Sequence, residues 1–362
     1  MSRPRLLVSI YNPEEVRASV AGGADIIDCE DPRVVMGMYE PHTITAIAHA
    51  VRQSEGQRRL PMSVNIGAEL TLYQPAGAPR ADSETRARAA QQALGMAAAM
   101  DVGDGRPNII KFGVGGVKRS RIRDLVAAVK RAIYSHARYQ SHLAIAGFMP
   151  FDWETWEARR NLPDVIRELV RVGEYRVLGD GPLVFRDHFS TAELAELGVA
   201  GDQRFGLTEP PQPRSLDMPE DDPVQRMQAY IDEIQAGGAD GVLMDTPVHA
   251  KVARICLVDH PRNAEETSGG TKPALHGIFD LDALQKYASY CAFHGMESWT
   301  AGSIAPFHAE ELGKLQDLDV VLCRGAASEP VTNPFGAGGE STRMGNRVTA
   351  RRVAAMARAV KG

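Results

Sequence analysis

Ala21-Gly22-Gly23-Ala24-Asp25-Ile26-Ile27-Asp28 and Ala236-Gly237-Gly238-Ala239-Asp240-Gly241-Val242-Leu243-Met244-Asp245 are one phrase written twice. Each copy reads as a helix end stopped by glycine, then a short apolar strand that closes on an aspartate. A repeating α/β architecture leaves this kind of trace in a sequence.

Working outward from the two copies, strands are expected at 5–10, 25–30, 61–66, 108–112, 142–147, 240–245, 297–302 and 319–323. Helices are expected at 13–21, 41–54, 83–100, 118–138, 223–236, 280–294, 306–316 and 346–360. The strands are short apolar runs rather than long alternating ones, as where helices cover a parallel sheet. Eight alternations predict an α/β fold, a (β/α)8 TIM barrel forming a single domain over residues 1–362. Two segments exceed the minimal plan. Residues 148–222 form a long insertion in the fifth βα unit, with an aromatic start (Phe148, Phe151, Trp153, Trp156), a helix at 153–172 and a Pro- and acid-rich end. Residues 250–274 read as a long polar loop after strand six, containing Ser268-Gly269-Gly270. Loops of this length usually serve as covers, binding loops or contact surfaces.

Composition narrows the function classes. Of 362 residues 44% are hydrophobic, enough for a sizeable core, and a net charge of −5 gives no electrostatic case for nucleic acid or an anionic membrane. No apolar run approaches the roughly 18 residues of a membrane helix. Cys29, Cys256, Cys291 and Cys323 show neither CxxC pairing nor metal-ligand spacing. The first apolar run is too short for a signal-peptide core, so a reducing cytoplasm is the expected compartment.

In a barrel the chemistry sits where strands end and βα loops begin. Lys111 ends the apolar run Asn108-Ile109-Ile110 and leads into Phe112-Gly113-Val114-Gly115-Gly116. The chain holds eight lysines against thirty-three arginines, so lysine at this position is informative. A desolvated lysine can lose its proton and act as nucleophile or base, which arginine cannot. Strand two finishes Asp28-Cys29-Glu30, and period-two alternation puts Ile26, Asp28 and Glu30 on the inner side with Cys29 outside. Paired carboxylates can serve as general acid and base, or hold a divalent cation. Strand six ends at Asp245, with His249 four residues on, a pairing suited to proton transfer near neutrality. Strands seven and eight end in Ala301-Gly302-Ser303-Ile304 and Arg324-Gly325-Ala326-Ala327. Small residues there let backbone amides approach an anion, which makes Gly302, Ser303, Arg324, Gly325 and Ala326 candidate phosphate contacts.

These pieces, in this order, resemble the family of (5-formylfuran-3-yl)methyl phosphate synthase, an enzyme of methanofuran biosynthesis. The matching stretches are Leu6 to Ser9, Ala21 to Asp28, Ile110 to Gly113 with Gly116 to Lys118, Met244 to Thr246, Phe279-Asp280, Ala301 to Ile304 and Arg324 to Ala327. The resemblance implies a barrel that condenses two triose phosphates, with loss of water and one phosphate, through a lysine imine and without metal or organic cofactor. It places Asp28, Lys111 and Asp245 at active-site positions. It also exposes two departures: the family's imine-forming lysine corresponds here to Glu30, and a second family lysine to His249. A carboxylate cannot form an imine. Lys111 is then the preferred amine, with Lys251 and Lys272 on the sixth loop as more mobile substitutes. Asp28 would orient Lys111, Glu30 and Asp245 would move protons, and His249 would assist. If Glu30 holds Lys111 protonated, the lysine would act as a fixed cation instead.

The leading expectation is therefore a lyase- or aldolase-type enzyme on a small phosphorylated carbonyl compound, with homo-oligomerisation left open. Two alternatives stand beside it. Asp28-Cys29-Glu30-Asp31 is similar to the acidic strand end of magnesium-dependent citrate-lyase-like barrels, which would make the protein a metal-dependent C–C lyase. Loss of two reactive lysines with the glycine turns intact would also fit a non-catalytic phosphometabolite-binding or scaffold subunit.

Overall fold

A computed structural model describes residues 3–30, 39–56, 58–67, 82–114, 119–148, 175–178, 204–207, 223–246, 255–264, 276–330 and 346–362. Eight parallel strands close into a barrel: β1 (Arg5–Ile10), β2 (Ile26–Cys29), β3 (Met62–Asn65), β4 (Ile109–Gly113), β5 (Leu143–Phe148), β6 (Gly241–Met244), β7 (Glu297–Thr300) and β8 (Val320–Cys323). Each strand pairs with its neighbours in chain order, and β8 returns to β1. The surrounding helices are α1 (Glu14–Gly22), α2 (Pro41–Ser54), α3 (Asp82–Met100), α4 (Arg119–Tyr134), α5 (Pro223–Ala236), α6 (Leu281–Phe293), α7 (Pro306–Leu312) and α8 (Ala350–Lys361). The expected TIM barrel is what the chain forms.

Alternation along the strands sorts the apolar residues into two cores. Leu7, Ile26, Ile109, Ile145, Leu243, Trp299, Val320 and Leu322 fill the barrel interior. Leu6, Val8, Ile27, Cys29, Val64, Ile110 and Phe112 point outward and pack under the helices. This confirms the predicted parity, with Ile26 inside and Cys29 outside.

The doubled phrase has a physical reading. Gly23 and Gly238 take left-handed backbone angles (φ 94° and 84°), which glycine adopts at no steric cost as it ends a helix. Gly22 and Gly237 serve close packing: a methyl group there would lie 2.7 Å from Val353 Cγ1 and 2.8 Å from Val126 Cγ1. The aspartates belong to a larger repeat. Asp25, Asn108, Asp240 and Asp319 each stand one residue ahead of an even-numbered strand. Each side chain accepts a hydrogen bond from a backbone amide of the preceding odd strand: Leu6 (2.8 Å), Met62 (3.0 Å), Ala144 (2.7 Å) and Ser298 (2.9 Å). The barrel thus repeats fourfold in pairs of βα units at its lower rim, where the strands begin.

Three expectations are corrected. Residues 250–274 are not simply a polar loop: Ile255–Val258 is a strand that pairs in parallel with His276–Phe279. Its Cys256, Leu257 and Val258 are buried, so four apolar residues suffice for a strand within a polar stretch. The last helix does not start at 346. Asn346–Val348 pairs antiparallel with Ser328–Pro330, and Thr349 then caps α8 by accepting from the Arg352 amide. Helices four and seven end earlier than expected, at Tyr134 and Leu312. Of the insertion 148–222, Tyr175–Leu178 and Arg204–Leu207 pair antiparallel, while the expected helix at 153–172 lies outside the described residues.

Candidate active site at the upper rim

The upper ends of β1 to β4 bring five inward-facing polar residues into one patch. Register sets Ser9 beside Asp28, Asp28 beside Ser63, and Asn65 beside Lys111. The Lys111 ammonium donates to Asp28 Oδ2 at 2.7 Å and lies 3.8 Å from Glu30 Oε2. Ser9 Oγ donates to the same Asp28 oxygen at 2.9 Å. Lys111 and Asp28 are both fully buried, whereas Glu30 is partly open.

Burial is the largest single influence on Lys111 and works against its charge. The carboxylates of Asp28, Glu30 and Asp245, with the Asp28 hydrogen bond, outweigh it and raise its pKa above the usual lysine value. The resting residue is therefore an ammonium. Asp245 is buried at the end of β6, and its Oδ1 accepts the Thr246 amide at 2.7 Å. Sequence reading thus chose four residues, Asp28, Glu30, Lys111 and Asp245, that share one electrostatic environment. Cys29, on the outer face, has its thiol pKa pushed well up, by burial first and then by Asp28.

The glycine turns differ from one another. Gly302 has φ 110°, and a methyl group there would stand 2.7 Å from Thr246 Cβ, so the turn after β7 sits directly on the residue following Asp245. Its carbonyl already accepts the Leu257 amide at 3.1 Å, from the added strand. Ser303 is exposed and also left-handed, at φ 57°. Gly325–Ala327 form one tight turn of helix after β8, in which the Ala327 amide bonds the Arg324 carbonyl. Arg324 is held by the Ser9 carbonyl at 2.9 Å and by Glu15 at 3.1 and 3.4 Å. Glu15 is buried and also accepts the Tyr11 and Val348 amides. Arg324 is thus neutralised within the fold, and an anion at this rim would depend mainly on backbone amides.

His249, Lys251 and Lys272 lie outside the described residues. Among the described residues there is no cluster of three or more metal-ligating side chains, and the Lys111 ammonium offsets the Asp28 and Glu30 charges. No helix among them is long and apolar enough to cross a membrane. Sequence reading missed Asn65, Ser63 and Thr246. All three are buried at or next to the patch, and among the described residues their side-chain polar atoms lack hydrogen-bond partners, as does Asp28 Oδ1.

Known proteins resemble this chain over part of its length. The family model described as 4-HFC-P synthase matches residues 6–180, just under half of the chain, a span that holds Asp28, Glu30, Asn65 and Lys111. A Methylorubrum extorquens protein provisionally named (5-formylfuran-3-yl)methyl phosphate synthase is 45% identical over 51 residues. That stretch is 14% of this chain and 22% of the relative, so the match spans about a fifth of the curated protein's length. Among solved structures, a provisionally named phosphonomutase of Burkholderia cenocepacia J2315 is 11% identical, with 89% of this chain and 86% of that one covered at a TM-score of 0.43. Phosphoribosyl anthranilate isomerase of Thermotoga maritima is 10% identical over 99% of both chains, at 0.42. Likeness at these scores carries no argument about chemistry.

Proposed function

We propose, from the likeness of residues 6–180 to the 4-HFC-P synthase family model, a lyase- or synthase-type enzyme acting on a small phosphorylated carbonyl compound of the triose phosphate class. One observation carries the reading most: a buried ammonium at the barrel rim, within 4 Å of two carboxylates and electrostatically coupled to a third. Inert cores do not assemble four such charges on inward strand positions.

The elevated Lys111 pKa favours a cationic role over a nucleophilic one. Imine formation needs the neutral amine, and three carboxylates oppose its formation. In the mechanism we favour, the substrate carbonyl oxygen accepts a hydrogen bond from the Lys111 ammonium. Glu30 or Asp245 removes a proton from the adjacent carbon, and the electron pair moves into the carbonyl to give an enolate whose oxygen faces Lys111. The enolate carbon then attacks a second carbonyl carbon. A C–C bond forms, and the protonated carboxyl returns its proton to the new alkoxide. Phosphate groups would sit on the backbone of the turns at 302–303 and 325–326.

Deuterium exchange tests this. Glyceraldehyde 3-phosphate or dihydroxyacetone phosphate, incubated with the protein in heavy water and followed by NMR, should gain deuterium beside the carbonyl. Borohydride added during turnover should leave no substrate adduct on Lys111. A reduced adduct on Lys111 by peptide mass spectrometry would restore the imine route. No exchange and no binding of either triose phosphate would sink the substrate class.

A further inference from the structure

Strand β3 brings no charge to the rim, yet it carries a buried carboxamide that the described residues leave unsatisfied on both arms. Asn65 is 1% exposed, and among the described residues neither its Oδ1 nor its Nδ2 has a hydrogen-bond partner. Its strand neighbours Val64 and Ile66 lie in the outer core, so the carboxamide faces inward. Register places it beside Lys111, about 4.8 Å away strand to strand. Two residues lower on the same face, Ser63 Oγ is buried and unpartnered, and beside it in register Asp28 Oδ1 is unpartnered as well. Four orphaned polar atoms therefore flank the ammonium from two adjacent strands. Buried carboxamides normally have partners, because leaving one unpaired is unfavourable. Across the barrel, the inward position after β7 is the small apolar Ala301, so the fold does not require a polar group at every inward position of this rim.

We propose that Asn65 is a specificity-determining residue that reads the hydroxyl group beside the substrate carbonyl. The inference rests on the triose phosphate class proposed above and names the residue that selects its hydroxyl. A carboxamide offers one acceptor oxygen and a donor NH2 group in a flat fork. A hydroxyl next to a carbonyl is both donor and acceptor, and so can use both arms. The Lys111 ammonium reaches past β3 to Asp28 on β2, so with the carbonyl oxygen on Lys111 the hydroxyl on the next carbon can fall on the intervening strand, β3. A carboxamide does this without a further negative charge beside Asp28 and Glu30, which an aspartate at this position would add.

The test compares two ligands by calorimetry on the full chain: glyceraldehyde 3-phosphate and 3-oxopropyl phosphate, which lacks only the hydroxyl. The wild-type protein should prefer the hydroxylated ligand by about 10- to 100-fold, the difference expected when a buried polar group is left unpaired. In both Asn65→Leu and Asn65→Ala the preference should collapse to within about threefold, with binding of 3-oxopropyl phosphate retained. Using two variants separates loss of the amide from crowding by leucine. An unchanged preference in both variants, with or without a lower melting temperature, would overturn the inference and leave the carbonyl substrate class intact. Equal weakening of both ligands in both variants would overturn it in the same way. Failure of the wild-type protein to bind either ligand would overturn the inference together with the reading beneath it.

Discussion

The two rims of the barrel both bury a cation among carboxylates, and they do so to opposite effect. At the lower rim Arg106 donates to Glu55 Oε2 and Oε1 at 2.7 Å each, to the Leu60 carbonyl at 2.8 Å and, through Nε, to Asp104 at 2.7 Å. Its Nη2 donates a second time, again to Asp104. Five hydrogen bonds run to four acceptor atoms, with Asp104 Oδ2 accepting twice, so the guanidinium has nothing left to give. At the upper rim Lys111 has three donors and one close acceptor, Asp28, while the oxygen of Glu30 stands beyond hydrogen-bond reach. Around it lie the orphaned atoms of Asp28, Ser63 and Asn65. A buried charge alone does not mark a working site. An incompletely satisfied one does, because folding tolerates such a deficit where a ligand completes it.

The largest expected effect would break the lower rim. Arg106→Met strands Glu55 and Asp104 without their cation and should remove about 3–5 kcal/mol of unfolding free energy, as when one partner of a buried ion pair is lost. Urea unfolding measures it. Deuterium exchange per folded molecule should be unchanged, and a matching loss of exchange would mean that the two rims are not separate in function. Lys111→Met should reverse the pattern. Exchange should fall by about 10²- to 10³-fold, the usual consequence of removing one donor to a developing oxyanion. Its loss of stability should be smaller than that of Arg106→Met, since Lys111 gives up one close hydrogen bond where Arg106 gives up five. A Lys111→Met protein that exchanges normally would reduce the upper cluster to another structural ion pair.

The difference between the rims also explains what could be read from the chain. Elements announce themselves locally, through apolar runs and glycine stops, so all eight barrel strands were legible. Charges at strand ends were legible for the same reason: Asp28, Lys111 and Asp245 each end an apolar run. Only two of the four lower-rim repeats were visible as an echo. Asp25 and Asp240 share the glycine pair, while Asn108 and Asp319 carry the same hydrogen bond without it. The partnership of Arg324 with Glu15 joins residues 309 positions apart, and no local pattern encodes it. Asn65 and Ser63 looked like ordinary strand residues. What distinguishes them is the absence of partners in three dimensions, which sequence alone does not reveal.

A smaller effect sharpens the comparison with one atom at each rim. Ser298 and Ser63 are equally buried. Near the lower rim, Ser298 Oγ donates to the Asp317 carbonyl at 2.7 Å, and Ser298→Ala should cost about 1 kcal/mol as that bond is lost. Ser63 Oγ has no partner among the described residues, so Ser63→Ala should leave stability unchanged or raise it by up to ~1 kcal/mol. Equal losses in thermal unfolding would show that the upper hydroxyl is satisfied after all, and would remove one support for a ligand there.

The smallest effect is the pH dependence of melting, and its sign differs between the rims. At the lower rim Asp104 is pulled below the ordinary carboxylate value of 3.8: burial pushes upward, and the Arg106 hydrogen bonds and charge overcome it. A carboxylate lowered by folding contributes stability that is present above 3.8 and fades as pH falls through the folded value. At the upper rim Lys111 is raised above 10.5 by its three carboxylates against the opposing effect of burial. Its contribution is complete below 10.5 and is lost as pH climbs through the folded value. Arg106→Met should therefore flatten the acid limb of the melting curve and leave the alkaline limb alone. Lys111→Met should flatten only the alkaline limb. Exchange activity adds a second reading of the same titration. If the ammonium is the working form, exchange in the wild-type protein persists through pH 10.5 and falls only beyond it. Exchange that instead rises toward pH 10.5 would identify the neutral amine as the reactive species and return Lys111 to the role of nucleophile.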